Sequence, residues 1–200
     1  MIEAKNARLS GDCLQPHGSL SFSVAEGQVL CVTGPSGSGK TRLVETILGF
    51  WPLESGYITV EGEPVVVGSA VYFRERMFYV PQDVTFNSGK VDGLITQVFG
   101  LKVHHGKALD KEQLMQSWQM LGLDEGLYRA MLREVPAPQL QKIMLSMAAL
   151  LRQSMILIDG MSMDEPAKQY ITHLKHMGSI VILTAREEQQ AAWCDKMVRL

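Results

Sequence analysis

A glycine-rich segment near the N-terminus carries the clearest chemical signal in the sequence. Residues 34–41 read GPSGSGKT and match the pattern G-x-x-x-x-G-K-[ST] at every fixed position. In loops of this pattern the glycines let main-chain N–H groups approach a phosphate, the lysine faces two phosphates, and the hydroxyl residue binds Mg²⁺. We therefore predict that the phosphates of a nucleotide bind at Gly34, Pro35, Ser36, Gly37, Ser38, Gly39, Lys40 and Thr41.

The second candidate is a carboxylate at the end of an apolar run. Residues 155–158 read MILI and are followed by Asp159, so we expect a buried strand beside the phosphate loop that ends at this carboxylate. The next residue is Gly160, at a position where hydrolases of this type usually carry a carboxylate. Because a positioned general base contributes roughly 10²–10⁴-fold in rate, its absence predicts weak hydrolysis.

The elements that must position these residues follow an α/β order. Strand patterns cover residues 19–24, 28–33, 56–60, 64–67, 77–80, 155–159, 179–184 and 196–200. Helical patterns cover residues 41–48, much of 91–152, including a buried helix over 139–151, and a short segment over 187–194. We predict one domain over residues 1–200, with a core of residues 1–90 and 153–200 and an inserted helical subdomain of about residues 91–152.

Composition narrows the classes of protein that fit. A chain of 200 residues suits one domain, and a net charge of −2 gives no reason to expect nucleic acid as a partner. No apolar run approaches the roughly 20 residues that span a bilayer, and residues 1–12 lack the apolar stretch of a signal peptide. The three cysteines, Cys13, Cys31 and Cys194, are scattered along the sequence, which predicts a reducing, cytoplasmic location.

Several further stretches, taken in chain order, resemble the ATP-binding domain of ABC transporters. The resemblance lies in AEGQVLCVTGPSGSGKT, LGFWPLESGYITVEGEPV, MFYVPQD, VDGLI, VPAPQLQKIMLSMAALLRQSMILID and ILTAREEQQAAWCDKMVRL. It implies a P-loop NTPase of the ABC-ATPase type, with a mixed sheet core and an inserted α-helical subdomain. It also implies ATP and Mg²⁺ as ligands, Gln82 as a catalytic glutamine, and Thr41, Gln82 and Asp159 as the groups around the metal.

The sequence departs from the family pattern at three places that serve one reaction. The family's glutamate after the Walker B aspartate is replaced by Gly160, and its switch histidine, ten residues before Asp195, is replaced by Ala185. The signature L-S-G-G-Q is replaced by VPAPQ at residues 135–139, and the two prolines lack the N–H groups that a phosphate would need. The resemblance therefore implies that nucleotide binding is kept while hydrolysis is impaired.

Three nearby polar residues could compensate for these losses. Asp164 resembles the aspartate of the family's D-loop, and Glu165 is a candidate for a displaced general base. Arg186 follows Ala185 and is a candidate contact for the γ-phosphate.

The resemblance implies an ATP-binding subunit of an ABC transporter. Such a subunit would be cytoplasmic and held at the inner face of the membrane by integral membrane permease subunits. The impaired site favours a heterodimer with a second, different ABC ATPase domain. Two alternatives stay open: an ABC-type regulatory or scaffold subunit outside transport, and a small nucleotide kinase, since those enzymes also carry GPSG-x-GK.

Overall fold

The computed structural model describes residues 1–11, 18–66 and 68–200; Cys13 and the end of the predicted strand at residue 67 lie outside the described residues. The phosphate loop is carried by a five-stranded parallel sheet with the strand order β6-β7-β8-β3-β9. Its strands are β3 (Val29–Thr33), β6 (Met77–Val80), β7 (Met155–Ile158), β8 (Ile180–Ala185) and β9 (Lys196–Arg199). All five were predicted, to within two residues at each end.

A second, antiparallel sheet has the order β2-β1-β4-β5. Its strands are β1 (Ile2–Leu9), β2 (Leu20–Val24), β4 (Leu53–Val60) and β5 (Glu63–Pro64). Parallel and antiparallel pairing are thus separated into two sheets, which together form the mixed core that the resemblance implied.

The first strand was not predicted, and a bulge explains why. Ile2 and Ala4 are buried on one side of β1, whereas beyond the bulge the buried residues are Ala7 and Leu9. The pairing register shifts between Ala4 and Ala7, and Asn6 has a positive φ of 49°. Because the extra residue switches the parity of the inward-facing positions, no period-2 pattern runs through the segment.

The helices on the N-terminal half are short. They are α1 (Lys40–Ile47), directly after the phosphate loop, and α2 (Ala70–Arg74), before β6. The middle of the chain is helical as predicted, with α3 (Val91–Phe99), α4 (Lys111–Leu121), α5 (Ala137–Leu150) and 3₁₀ turns at Lys102–His104, Glu125–Arg129 and Leu132–Glu134. The boundaries of a helical subdomain stay a prediction. The predicted short helix after β8 is a 3₁₀ turn, Glu188–Ala191.

The sixth helix, α6 (Glu165–His176), was not predicted, although its sequence carries the usual signals. Asp164 caps its N-terminus by accepting a hydrogen bond from the Ala167 N–H, and Pro166 lies in its first turn. Ala167, Tyr170, Ile171 and Leu174 form its buried face.

The parallel sheet is covered on both faces, so its central strands are fully buried. One apolar cluster packs α4, α5 and α6 around Trp118, Leu145 and Tyr170 against one face. The other cluster packs α1 and the antiparallel sheet against the opposite face. Burial of this kind fixes the carboxyl ends of β3, β7 and β8 relative to one another, and those ends carry the candidate site.

Two of the three cysteines are brought together by the fold, although they are far apart in sequence. Cys31 is fully buried on β3, Cys194 packs against the same cluster, and both are free thiols. A hydrogen bond with the Cys194 thiol, together with burial, raises the pKa of Cys31 well above its usual range. Cys31 is therefore a packing residue of the core, and its contact with Cys194 could not be inferred from their separation in sequence.

Candidate nucleotide-binding site

The phosphate loop joins β3 to α1 in a conformation that depends on glycine. Gly39 caps α1 with a φ of 93°, and a Cβ on Gly34 would lie 2.5 Å from the Leu200 carbonyl oxygen and 2.6 Å from Ser38 Oγ. The glycines at these positions therefore allow the tight turn that the motif predicted. Ser38 is buried, and its Oγ has no hydrogen-bond partner among the described residues.

Lys40 lies over its own loop and closes it. Its Nζ donates hydrogen bonds to the carbonyl oxygens of Gly34 at 2.7 Å and Pro35 at 2.8 Å. Burial lowers the pKa of Lys40, the nearby Asp159 acts in the opposite direction, and Arg186 lowers it further. The ammonium group is thus held at the place where bound phosphates would meet the loop.

Asp159 is the centre of the polar network at the carboxyl ends of the strands. It is buried; its Oδ2 accepts a hydrogen bond from Thr41 Oγ1 at 2.6 Å, and its Oδ1 accepts one from Thr184 Oγ1 at 2.6 Å. The Thr184 hydroxyl in turn accepts from the Gly160 N–H at 2.8 Å. Thr41 and Asp159, predicted separately from two motifs, are therefore in direct contact.

Gly160 has a conformation that a side chain would strain. Its φ is +60°, in the left-handed region, and a Cβ at this position would lie 2.6 Å from Gln82 Cγ and 3.0 Å from Gln82 Cδ. The side chain of Gln82 thus occupies the space that a residue with a side chain would need at position 160. Gln82 and Gly160, both predicted from sequence, are neighbours in the structure. The positive φ at position 160 and the closeness of Gln82 both favour glycine there.

Gln141 links three segments of the site, and sequence reasoning missed it. Its side chain is buried on α5, and its Nε2 donates to the carbonyl oxygens of Pro81 at 2.9 Å, Gln82 at 3.2 Å and Asp159 at 3.4 Å. One amide therefore fixes the ends of β6 and β7 relative to α5. A buried glutamine within an otherwise apolar helix was the signal available in the sequence.

A cleft of about 620 Å³ lies at the phosphate loop and the carboxyl ends of these strands. Its walls are Ser36, Gly37, Gly39, Lys40, Thr41, Arg42, Glu45, Gln82, Gly160, Met161, Ser162, Thr184, Ala185 and Arg186. Most of the predicted residues thus meet at one place, including both positions where the family residues are replaced, Gly160 and Ala185. The lining contains three cationic side chains and one carboxylate, so the cleft favours an anion.

Two acidic residues from the sequence analysis have other contacts. Asp164 caps α6 and pairs with Lys142 at 2.6 Å. Burial acts to raise the pKa of Asp164, but the Lys142 contact and the Ala167 N–H outweigh it and lower the pKa. Glu165 lies in the exposed first turn of α6, 3.9 Å from Lys168 Nζ. This position gives Glu165 no contact with the cleft that a general base would need.

In the segment that replaces the family signature, Pro136, Ala137 and Pro138 are exposed, Val135 is buried, and none of the residues lines the cleft. Pro136 is the N-cap of α5, so Pro138 occupies the second position of the helix. The N–H groups of Gln139 and Leu140 both donate to the Pro136 carbonyl oxygen, at 2.9 and 3.0 Å. Pro136 and Pro138 have no N–H group. Within residues 136–140, these contacts therefore leave only the N–H of Ala137 free to bind a phosphate.

The arrangement of loop, carboxylate and cleft agrees with what a family model finds in the sequence. The model of the ABC transporter family matches residues 18–167. The chain belongs to the ABC transporter family. Among the described residues, no helix is both long and apolar enough to cross a bilayer.

Relatives within the family are ATP-binding subunits of transport systems. The manganese transport system ATP-binding protein MntB of Listeria monocytogenes is 23% identical over 91% of this chain and 79% of that protein. The sulfate/thiosulfate import ATP-binding protein CysA of Caulobacter vibrioides is 32% identical over 70% of this chain. This ABC family member spans 42% of the length of CysA and 44% of the Fe(3+) ions import ATP-binding protein FbpC of Streptomyces avermitilis.

Solved structures show the same fold. An ABC transporter ATP-binding protein from Pyrococcus furiosus matches with a TM-score of 0.81 at 21% identity and covers 100% of this chain and 96% of that one. The dimeric ATP-binding cassette MJ0796, bound to ADP and phosphate, matches with a TM-score of 0.75 at 16% identity. The match covers 100% of this chain and 94% of the MJ0796 chain. The predicted α/β P-loop fold of the ABC-ATPase type is confirmed.

Proposed function

We propose that this chain is an ATP-binding subunit of an ABC transporter that binds MgATP at the cleft and hydrolyses it poorly. The observation that carries the proposal is the contrast within one cleft. The binding groups are in place, with Lys40 over the phosphate loop and Thr41 joined to Asp159. The positions that would act on the attacking water and the γ-phosphate are held by Gly160 and Ala185, which have no polar side-chain group.

The residues around Asp159 fit Mg²⁺. Mg²⁺ prefers oxygen ligands and keeps several waters, so few protein groups are needed. The Thr41 hydroxyl and the Asp159 carboxylate lie together, and Gln82 lines the same cleft. We propose that these three residues hold the ion, directly or through water, and that the ion neutralises phosphate charge when nucleotide is bound.

Weak hydrolysis follows from the side chains present at the γ-phosphate end. Gly160 cannot accept a proton from water, and Glu165 is turned toward Lys168 on the exposed side of α6. Arg186 lines the cleft next to Ala185 and is our candidate for a γ-phosphate contact. An arginine can stabilise negative charge, but it cannot act as a general base at neutral pH.

The sequence at the N-terminus of α5, with Pro136, Ala137 and Pro138 exposed, argues for a partner that differs from this chain. In an ATP sandwich, the N-terminus of α5 on one subunit would face the phosphates bound by the other. Here two prolines and the internal bonds of Gln139 and Leu140 leave few donors for a phosphate. We propose a heterodimer with a second ABC ATPase domain, in which that domain's own signature completes the site on this chain.

This pairing predicts that the purified chain stays monomeric when it binds ATP. Light scattering with saturating MgATP should give the mass of one chain, 22.2 kDa, at micromolar concentrations where the nucleotide is bound. A variant that rebuilds residues 136–138 as Ser-Gly-Gly restores N–H groups and a hydroxyl and is the matched comparison. A stable ATP-dependent dimer of the unaltered chain would contradict the heterodimer proposal.

We propose integral membrane permease subunits as the partners that hold the chain at the cytoplasmic face of the membrane. The candidate contact is a set of exposed apolar residues on α2 and in the segments before it: Phe50, Val66, Val71 and Tyr72. It lies next to the site in the chain, because α2 leads into β6, which ends two residues before Gln82. Exposed apolar patches of this kind mark interaction surfaces.

The transporter role is tested by co-purification from membranes. A tagged chain should retain an integral membrane permease after mild detergent extraction, and the double variant Val71→Ser, Tyr72→Ser should lose most of it. The double variant Leu101→Ser, Val103→Ser, at exposed apolar positions elsewhere in the chain, is the control and should keep the permease. Recovery of the chain without any membrane protein would favour the regulatory or scaffold role instead.

A further inference from the structure

Arg42 is a cation in the cleft that the motif does not explain. It is the third residue of α1 and lines the cleft with Lys40 and Thr41. Its Nη1 is buried and has no hydrogen-bond partner among the described residues. A positive charge near a helix N-terminus is unfavourable unless an anion is close. The combination points to a ligand with negative charge.

The guanidinium of Arg42 lies between an aromatic ring and a glycine. Its Cζ lies 3.7 Å from the centre of the Trp51 ring. On Gly11, a Cβ would lie 3.5 Å from Arg42 Nη2, 3.6 Å from Cζ and 3.7 Å from Nη1. These nearly equal distances mean that Gly11 faces the plane of the group as well. With Trp51 and Gly11 against the plane, a ligand would approach the edge, where the N–H donors are.

Glu45, the carboxylate that lines the cleft beside Arg42, already accepts a hydrogen bond from Trp51. Glu45 lies one helical turn beyond Arg42, and its Oε2 accepts a hydrogen bond from Trp51 Nε1 at 2.7 Å. Glu45 thereby fixes the ring on which Arg42 stacks. Because the structure records no ion pair between Arg42 and Glu45 among the described residues, the Nη1 donor stays available for a phosphate oxygen.

The position of Arg42 along the cleft identifies the phosphate. Thr41, Asp159, Gln82 and Gly160 define one end, where the metal and the terminal phosphate would lie under the proposed function. Arg42 and Glu45 line the part of the cleft that continues along α1. The phosphate nearest to the nucleoside must lie on that side. We propose that Arg42, held by Trp51, binds the α-phosphate of the nucleotide through its edge, which makes it a binding residue shared by ATP and ADP.

This inference rests on the proposed ATP binding, and the two can fail separately. We would measure dissociation constants of MgATP and MgADP by calorimetry for the wild-type chain, Lys40→Ala, Arg42→Gln and Arg42→Lys. Arg42→Gln should weaken both nucleotides by about tenfold or more, and by a similar factor, since one charge-assisted contact is lost from each. Arg42→Lys keeps the charge without the planar fork and should lie between Arg42→Gln and wild type.

Arg74→Gln is the matched control. Arg74 also lies over an aromatic ring, 5.0 Å from the centre of Phe50, but its Nη1 already donates to the Leu48 carbonyl oxygen and it does not line the cleft. This variant should bind both nucleotides as wild type does. Failure of the wild-type chain to bind ATP would overturn the proposed function. Wild-type binding that Arg42→Gln leaves unchanged, or weakens for ATP alone, would overturn the α-phosphate assignment.

A measurement on the unaltered chain covers the case in which Arg42→Gln does not fold. The assigned Arg42 Nε–H resonance of the ¹⁵N-labelled wild-type protein should shift when MgADP is added, and the Arg74 resonance should not. An Arg42 resonance that stays in place while MgADP saturates the protein would contradict the contact.

Discussion

Replacing Lys40 with alanine should weaken MgATP binding by at least about 100-fold. The Lys40 ammonium lies over the loop, bonded to the carbonyl oxygens of Gly34 and Pro35, and is positioned to contact two phosphates. A hydrogen bond to a charged group contributes about 1.5–3 kcal/mol, so the loss of two such contacts corresponds to a factor of this size. Calorimetry or fluorescence titration measures it directly.

The control for this prediction is Lys5→Ala, which removes an exposed lysine on β1, far from the loop in the chain. It should bind MgATP as wild type does, and circular dichroism should show that both variants are folded. Equal affinity of Lys40→Ala and wild type would mean that the phosphate loop does not bind the nucleotide.

Turnover of ATP by the purified chain should be slow, and restoring a carboxylate at position 160 should not repair it. A typical enzyme turns over at about 10 s⁻¹, and loss of the general base lowers this by roughly 10²–10⁴-fold, giving on the order of 0.001–0.1 s⁻¹. Gly160→Glu must place a side chain at φ +60°, against Gln82 Cγ at 2.6 Å. Any recovery should therefore stay below about tenfold, as measured by steady-state phosphate release.

Two variants separate the causes of this low activity. Gly160→Ala introduces the same backbone strain without a carboxylate, and the left-handed conformation alone should cost roughly 1–2 kcal/mol of stability. Glu165→Gln removes the acid on α6, which pairs with Lys168, and should leave turnover unchanged. A rise of more than about 100-fold in Gly160→Glu over Gly160→Ala would mean that the missing base is the only defect. A loss of turnover in Glu165→Gln would identify Glu165 as the base.

The fold could be predicted from sequence wherever each element has its own pattern. The strands of the parallel sheet are short apolar runs, and the phosphate loop follows one of them, so Lys40 was located by its motif and Asp159 by the apolar run before it together with the family resemblance. The first strand was missed because of its bulge at Asn6: even-numbered residues are buried before the bulge and odd-numbered residues after it, so no alternating pattern runs through the strand. Helix α6 was missed even though Asp164 and Pro166 mark its start, since the Asp-Glu-Pro sequence also resembled a displaced catalytic motif.

The contacts that complete the site depend on tertiary neighbours, which spacing does not encode. Thr184 reaches Asp159 because β8 pairs with β7 in parallel register. Gln141 reaches the ends of β6 and β7 from α5, and Arg42 is fixed by Trp51 from the next loop. The strain at Gly160 is likewise set by Gln82, which lies far away in sequence. These arrangements become visible only when the sheet has assembled.

The central claim is that this chain binds ATP and hydrolyses it poorly, and the chemical state of the bound nucleotide tests it most directly. The purified wild-type chain is mixed with Mg²⁺ and radiolabelled ATP at 25 °C, separated from free nucleotide by rapid filtration after about two seconds, which is short compared with the turnover time expected at roughly 0.001–0.1 s⁻¹, quenched in acid and analysed by chromatography. The account predicts close to one nucleotide per chain, most of it still ATP, and none retained by Lys40→Ala. Bound nucleotide recovered mainly as ADP, with phosphate release that Lys40→Ala abolishes, would show that the chain hydrolyses ATP by itself and would contradict the account.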